Sequence, residues 1–227
     1  MKAVALCANL DKALEFWRRL GRAPGVELRL FVCSPRWPRQ LLRIGGSRLL
    51  LSLRLWKLGT LAFTRRGLDD RRTLERLRAL GADVGLHATD VIYRKATLEA
   101  FRLGILNAHI GLLPRYRGRS VMEWSILQGD PAGVTVFFMD EGIDTGPRIV
   151  TQRTVDMSGC RSVEAAKGRL FSLDVEMYAE ALARLLQPGF SPLPNGPGGR
   201  RHYVMSRLFT GIASRILGCD PSPERLD

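Results

Sequence analysis

Two short apolar runs open the chain, and what separates them limits the sheet they can build. Residues 2–8 (K-A-V-A-L-C-A) form the first run. Asn9 and Asp11 follow with side chains suited to capping, and the pattern predicts a helix over 11–20 that ends at Gly21. Val26–Cys33 alternates in part and reads as a second strand. A helix between two strands carries the chain back to the same end of the sheet, so the opening predicts a parallel β-α-β pair.

The alternation continues. Asp69–Leu80 is an amphipathic, Arg-rich helix closed by Gly81, and Ala82–Ala88 reads as a buried strand. A short helix is expected at Thr97–Arg102, a strand at Ile105–Ile110 and a helix at Ser120–Gln128. Strands at Gly133–Met139 and Arg148–Val155 flank the turn D-E-G-I-D-T-G-P, and Ser162–Leu186 reads as one long helix with apolar positions near the 3.6-residue period. Ser47–Leu58 is greasy almost all round. It is expected to be buried or packed against a partner chain, a homodimer surface being one reading. The fold class is therefore α/β, with a Rossmann-like mixed, largely parallel sheet flanked by helices. Ligands in such sheets bind beyond the carboxyl ends of the strands. Residues 1–187 are expected to form the functional domain. From Gln187 the composition shifts to Pro188, Gly189, Pro192, Pro194, Gly196, Pro197, Gly198 and Gly199, which reads as a linker before a short basic C-terminal segment within 188–227.

Among 227 residues, 45% are hydrophobic and 25% charged, which suits a globular chain rather than a disordered one. The net charge of +13 is unusual and admits nucleic acid, a membrane surface or an anionic small molecule as partner. The basic residues, 30 Arg and 5 Lys, are spread along the chain without a long block or a basic–aromatic motif, so nucleic acid is not the expected partner. Cys7, Cys33, Cys160 and Cys219 lack metal-ligand spacing, and no zinc or other metal site is expected. Met1–Ala13 has no secretory apolar segment, and Leu49–Phe63 is too short and too charged to span a bilayer. These features give a cytoplasmic expectation.

Asn107 and His109 lie two residues apart near the end of an apolar run, in the string N-A-H-I-G-L-L-P-R-Y-R-G. In a strand, residues i and i+2 project to the same side. Asp144 lies in the Gly-rich string M-D-E-G-I-D-T-G-P. An amide, an imidazole and a carboxylate in one cleft are the parts needed to stabilise an oxyanion and move a proton. Taken singly, each residue could equally satisfy turn backbone or cap a helix. His87 reads as a core or cleft-wall histidine and His202 as part of the basic tail. No dinucleotide or phosphate-loop glycine fingerprint is present.

These two strings together resemble the folate-dependent formyltransferase family: Asn-x-His, then Leu-Leu-Pro, then Gly, with an Asp in a Gly-rich loop some 35 residues later. The resemblance covers about residues 82–155. It implies 10-formyltetrahydrofolate as donor and Asn107, His109 and Asp144 as the catalytic trio. It also implies that Gly111, Leu112, Leu113 and Pro114 lie against the folate, that Asp90, Val91 and Ile92 contact the pterin, and that Asp140 and Gly142 close the pterin pocket. Ile110-Gly111 stand where the family often has Pro-Ser. The glycine-rich phosphate loop of the glycinamide-ribonucleotide members is absent after the first strand, and the segment after the long helix is too short for the tRNA-binding domain of the methionyl-tRNA members. The implied activity is transfer of a formyl group to the amine of a small, anionic acceptor such as an amino sugar nucleotide. A formyltetrahydrofolate deformylase, a non-catalytic folate- or RNA-binding module and a membrane-associated enzyme stand as alternatives. Acceptor contacts are expected in Asn9–Lys12, Tyr116–Glu123 and the tail.

Overall fold

The computed structural model describes residues 1–218; Cys219 lies outside them. The elements, in chain order, are β1 (Lys2–Cys7), α1 (Leu10–Leu20), β2 (Glu27–Cys33), α2 (Trp37–Arg43), α3 (Gly46–Lys57), β3 (Leu61–Thr64), α4 (Arg71–Ala79), β4 (Val84–Ala88), α5 (Lys95–Leu98), β5 (Gly104–His109), β6 (Tyr116–Gly118), α6 (Val121–Leu127), β7 (Gly133–Phe138), β8 (Arg148–Thr154), α7 (Val163–Phe171), α8 (Asp174–Leu186), β9 (Leu193–Pro194), β10 (Arg200–His202) and α9 (Arg207–Gly218).

Eight strands form one sheet in the order β3-β2-β1-β4-β5-β7-β8-β9, parallel from β3 through β5 and antiparallel from β5 to β9. This is the mixed, largely parallel α/β sheet the alternation implies. The chain leaves β1 towards β3 on one side and returns to β4 on the other. Period-two alternation divides β1 between two cores. Ala3, Ala5 and Cys7 join Leu14, Phe16, Leu170, Tyr178 and Leu182 from α1, α7 and α8. Val4 and Leu6 join Phe31, Leu77, Tyr93 and Phe101 on the opposite face. Burying one such leucine contributes about 2 kcal/mol.

The structure departs from the expected elements in four places. Ser162–Leu186 is two helices, α7 and α8, broken at Ser172–Leu173; the Ser162 hydroxyl caps the start of α7 by accepting from Ala165 N. The helix expected at Thr97–Arg102 is instead a single turn at Lys95–Leu98. Helix α3 buries Ser52 and Leu55 but leaves Leu50, Leu53 and Trp56 exposed, so it is not an interior helix. The Pro/Gly-rich stretch runs along the body. Leu193 pairs with Ile149, the Asn195 amide donates to Gly146 O at 2.9 Å, and α9 then packs on α6 and α7.

Candidate active site

Strands β4 and β5 stay paired as far as Leu86 and Leu106 and then separate. The Tyr178 hydroxyl bridges the gap, accepting from Ala108 N at 2.9 Å and donating to His87 O at 2.6 Å. Beyond this bridge, at the carboxyl ends of the central strands, opens a cleft of about 760 Å³.

Asn107, His109 and Asp144 all line the cleft. Among the described residues the Asn107 side chain takes no hydrogen-bond partner. His109 is buried, and its Nε2 donates to Tyr116 O at 2.8 Å. That bond leaves Nδ1 facing Asp144 Oδ1 at 3.6 Å. The other Asp144 oxygen accepts from Gly118 N at 2.9 Å. Asp144 itself has φ 53°, in the left-handed region that Asp tolerates better than most residues. Strand β6 therefore holds both groups, the histidine through a carbonyl and the aspartate through an amide.

The cofactor-binding candidates divide into two groups. Asp90, Val91, Ile92, Asp140 and Gly142 line the cleft. Val91 (47% exposed) and Ile92 (76%) present apolar surface that a flat, partly apolar ligand would cover. Asp140 also shapes its own turn, accepting from Gly142 N at 3.0 Å and from the Thr145 hydroxyl at 2.8 Å. Gly111, Leu112, Leu113 and Pro114 do not line the cleft. Leu113 packs with Phe137 and Ile149, and Gly111 O accepts from the Thr135 hydroxyl at 2.6 Å. A Cβ on residue 111 would lie 2.7 Å from His109 Nε2, so the loop passes close beneath the ring. The physical reason for the departure is that this loop turns inward and braces His109.

His87 is on the cleft wall, sharing a 2.8 Å hydrogen bond with the Tyr93 hydroxyl, and burial pushes its pKa down to about 4. Burial also pushes the Cys33 thiol up to about 12 and Cys7 higher still, so neither supplies a thiolate. Of the segments expected to meet an acceptor, Asn9–Lys12 lines a separate hollow with Arg18, Arg19 and Arg48, although Lys12 reaches the cleft residue Asp174 at 2.7 Å.

The tail, one of the segments expected to meet an acceptor, supplies a wall of the cleft. Strand β10 pairs in parallel with β6, Arg200 to Tyr116, Arg201 to Arg117 and His202 to Gly118, and Arg201, His202, Tyr203 and Val204 line the cleft. Gly118 has φ 102°, and a Cβ there would meet His202 O at 2.2 Å. His202 is buried between Tyr116 and Trp124. Tyr116 and Gly118 stand in the Y-R-G string and were within reach of a sequence reading. His202 was not, because its partner lies more than 80 residues away.

Residues 39–182 match the formyl transferase family model. The chain belongs to the formyl transferase family. It is 39% identical over 157 residues to methionyl-tRNA formyltransferase of Ruegeria pomeroyi, covering 64% of this chain and 51% of that one. The corresponding enzyme of Rhizobium rhizogenes is 35% identical over 179 residues, covering 73% and 56%. The chain thus spans about half the length of the curated relatives it matches. Among solved structures, a 4-N formyltransferase from Francisella tularensis superposes with a TM-score of 0.64 at 16% identity, covering 97% of this chain and 89% of that one. Glycinamide ribonucleotide transformylase 1 from Symbiobacterium toebii gives 0.58 at 23%, covering 86% and 94%. These two similarities establish that the formyl transferase fold is shared. Among the described residues, no helix is long and apolar enough to cross a membrane.

Proposed function

We propose that the protein transfers a formyl group from 10-formyltetrahydrofolate to the amine of a small, anionic acceptor of the amino sugar nucleotide type. The observation that carries this reading is the convergence of Asn107, His109 and Asp144 on one cleft, with β6 bracing the last two. The donor contributes the activated formyl carbonyl. Val91, Ile92, Asp90, Asp140 and Gly142 form the wall that would hold its ring system.

The unpartnered Asn107 amide is free to donate to the carbonyl oxygen as it gains charge, a bond worth about 3 kcal/mol of barrier. Because Nε2 is committed to Tyr116, His109 works through Nδ1. Charged, Nδ1–H donates to the same oxygen; neutral, Nδ1 accepts a proton. The Asp144 carboxylate, 3.6 Å from Nδ1, orients the ring and connects to the attacking amine through water. The amine adds to the formyl carbon to give a tetrahedral oxyanion; the proton it sheds passes along Asp144 and His109 to the folate nitrogen, whose C–N bond breaks as the intermediate collapses to the formamide and tetrahydrofolate.

A deformylase would use the same trio with water in place of the amine. A panel of amines incubated with 10-formyltetrahydrofolate separates the two. Amine-dependent release of tetrahydrofolate without formate supports the transferase. Formate release at equal rate without any amine contradicts it.

A further inference from the structure

Positive charge and exposed apolar surface fall in the same two stretches of this chain. Residues 28–68 hold nine basic residues and no acid, and residues 181–218 hold five arginines and no acid. Against a net charge of +13, these fourteen leave the rest of the chain close to balance. Among the described residues, most of the exposed large hydrophobic side chains lie in the same stretches, including Leu50, Leu53 and Trp56 on α3 and four residues of α9.

Helix α9 follows the β6–β10 ribbon and rests on the body through Ala213, Ser214 and Leu217. Ala213 is buried, the Ser214 hydroxyl accepts from Val163 N at 3.3 Å, and Leu217 packs against the core. Leu208, Ile212 and Ile216, at four-residue spacing, form a stripe on the outer face, with Phe209 beside it. Leu208 is 72% exposed. A helix on a globular body ordinarily hides its apolar stripe; this one turns it to solvent. Arg207 and Arg215 flank the stripe, and α9 carries no acid. Its neighbours do not offset these arginines: α7 carries Glu164 against Arg169, and its Lys167 pairs with Glu123 of α6. Tyr203 and Val204, exposed just before α9, also line the cleft.

We infer that α9 lies along the headgroup region of an anionic lipid bilayer, with Leu208, Ile212 and Ile216 reaching the acyl boundary and Arg207 and Arg215 on acidic headgroups. The charge selects this occupant. A second copy pairing stripe to stripe brings the flanking arginines of both helices together, with no acid on α9 to answer them. Nucleic acid takes the arginines and leaves the stripe uncovered. A lipid surface covers both. Docking in this way sets the cleft wall at Tyr203 and Val204 beside the headgroups, whether or not the cleft transfers a formyl group.

The test is flotation of the full chain with vesicles of equal parts phosphatidylcholine and phosphatidylglycerol, and with phosphatidylcholine alone. Wild type is expected to float with the first and not the second, and its binding should fall as salt rises. The double variants Leu208→Glu/Ile212→Glu and Arg207→Gln/Arg215→Gln should each weaken binding by about tenfold or more. Their urea midpoints should match wild type, because all four side chains are exposed; if the Glu pair loses stability, the Gln pair alone decides. No flotation of wild type, equal flotation with neutral vesicles, or undiminished binding by a folded variant of either pair overturns the inference. So does loss of binding only in Leu50→Glu/Trp56→Glu, which would move the contact to α3. A dimer in sedimentation that Leu208→Glu/Ile212→Glu dissolves also overturns it, since a second copy would then cover the stripe.

Discussion

His109 has one nitrogen to spare. Its Nε2 donates to a backbone carbonyl, so a neutral ring must be the Nε2–H tautomer, and all its chemistry passes through Nδ1. The expected outcome is a ¹⁵N spectrum of the free protein in which His109 Nε2 stays protonated across neutral pH; a neutral Nδ1–H ring would contradict the assignment. His87, on the same wall, is held neutral by burial, against the opposing pull of Asp90 and Asp144. Its folded-state pKa of about 4 lies below the ordinary 6.5, so on acidification the unfolded chain takes up the proton first. Its contribution to stability is present above 6.5 and is lost as pH falls towards 4. Replacing it by Asn should flatten the fall in urea midpoint across that window; an unchanged slope would show that other groups carry it.

Elements that bury a continuous apolar run were legible in the sequence; elements whose existence depends on a distant partner were not. The Val4/Leu6 and Ala3/Ala5/Cys7 alternation and the apolar β7 sufficed to place those strands. Strand β3 is only four residues long and continues a greasy stretch, so it carried no boundary signal. The break between α7 and α8 keeps the apolar period nearly intact, and β6 and β10 are basic three-residue strands that pair only with each other. The helices beside the ribbon are joined by a buried charge. Glu123 on α6 is 1% exposed, with Oε1 2.6 Å from Lys167 Nζ on α7 and Oε2 unpartnered. Lys167→Met should cost about 3 kcal/mol by chemical denaturation, with much of it recovered in the Glu123→Leu/Lys167→Met double variant. A neutral single variant would contradict the ion-pair account. Gly118→Ala tests the ribbon itself. It should lower turnover by about 100-fold by displacing the anchor of Asp144 while leaving the main sheet folded; wild-type turnover would show that Asp144 does not depend on the ribbon.

Across the whole molecule, one wall of the cleft is built from residues after 199, while the trio comes from positions 107–144. Short-range spacing put Asn107 and His109 on one side of a strand, whereas Asp144 was reached only through the second string, and all three line the cleft. The strings did not show that Gly111–Pro114 pack behind the ring rather than along the cleft, because only the packed loop gives that arrangement. The net charge of +13 pointed to an anionic partner without saying where, and two acid-free stretches set that charge beside the exposed apolar residues of α3 and α9. The central claim is that Asn107, His109 and Asp144 act together on a bound formyl donor. The most direct measurement is single-turnover formyl transfer by Asn107→Ala, His109→Ala and Asp144→Ala, alongside their affinity for a non-reactive reduced-folate analogue. The account predicts that each variant binds the analogue as wild type does and transfers the formyl group at least about 100-fold more slowly. Rates near wild type in all three would contradict it.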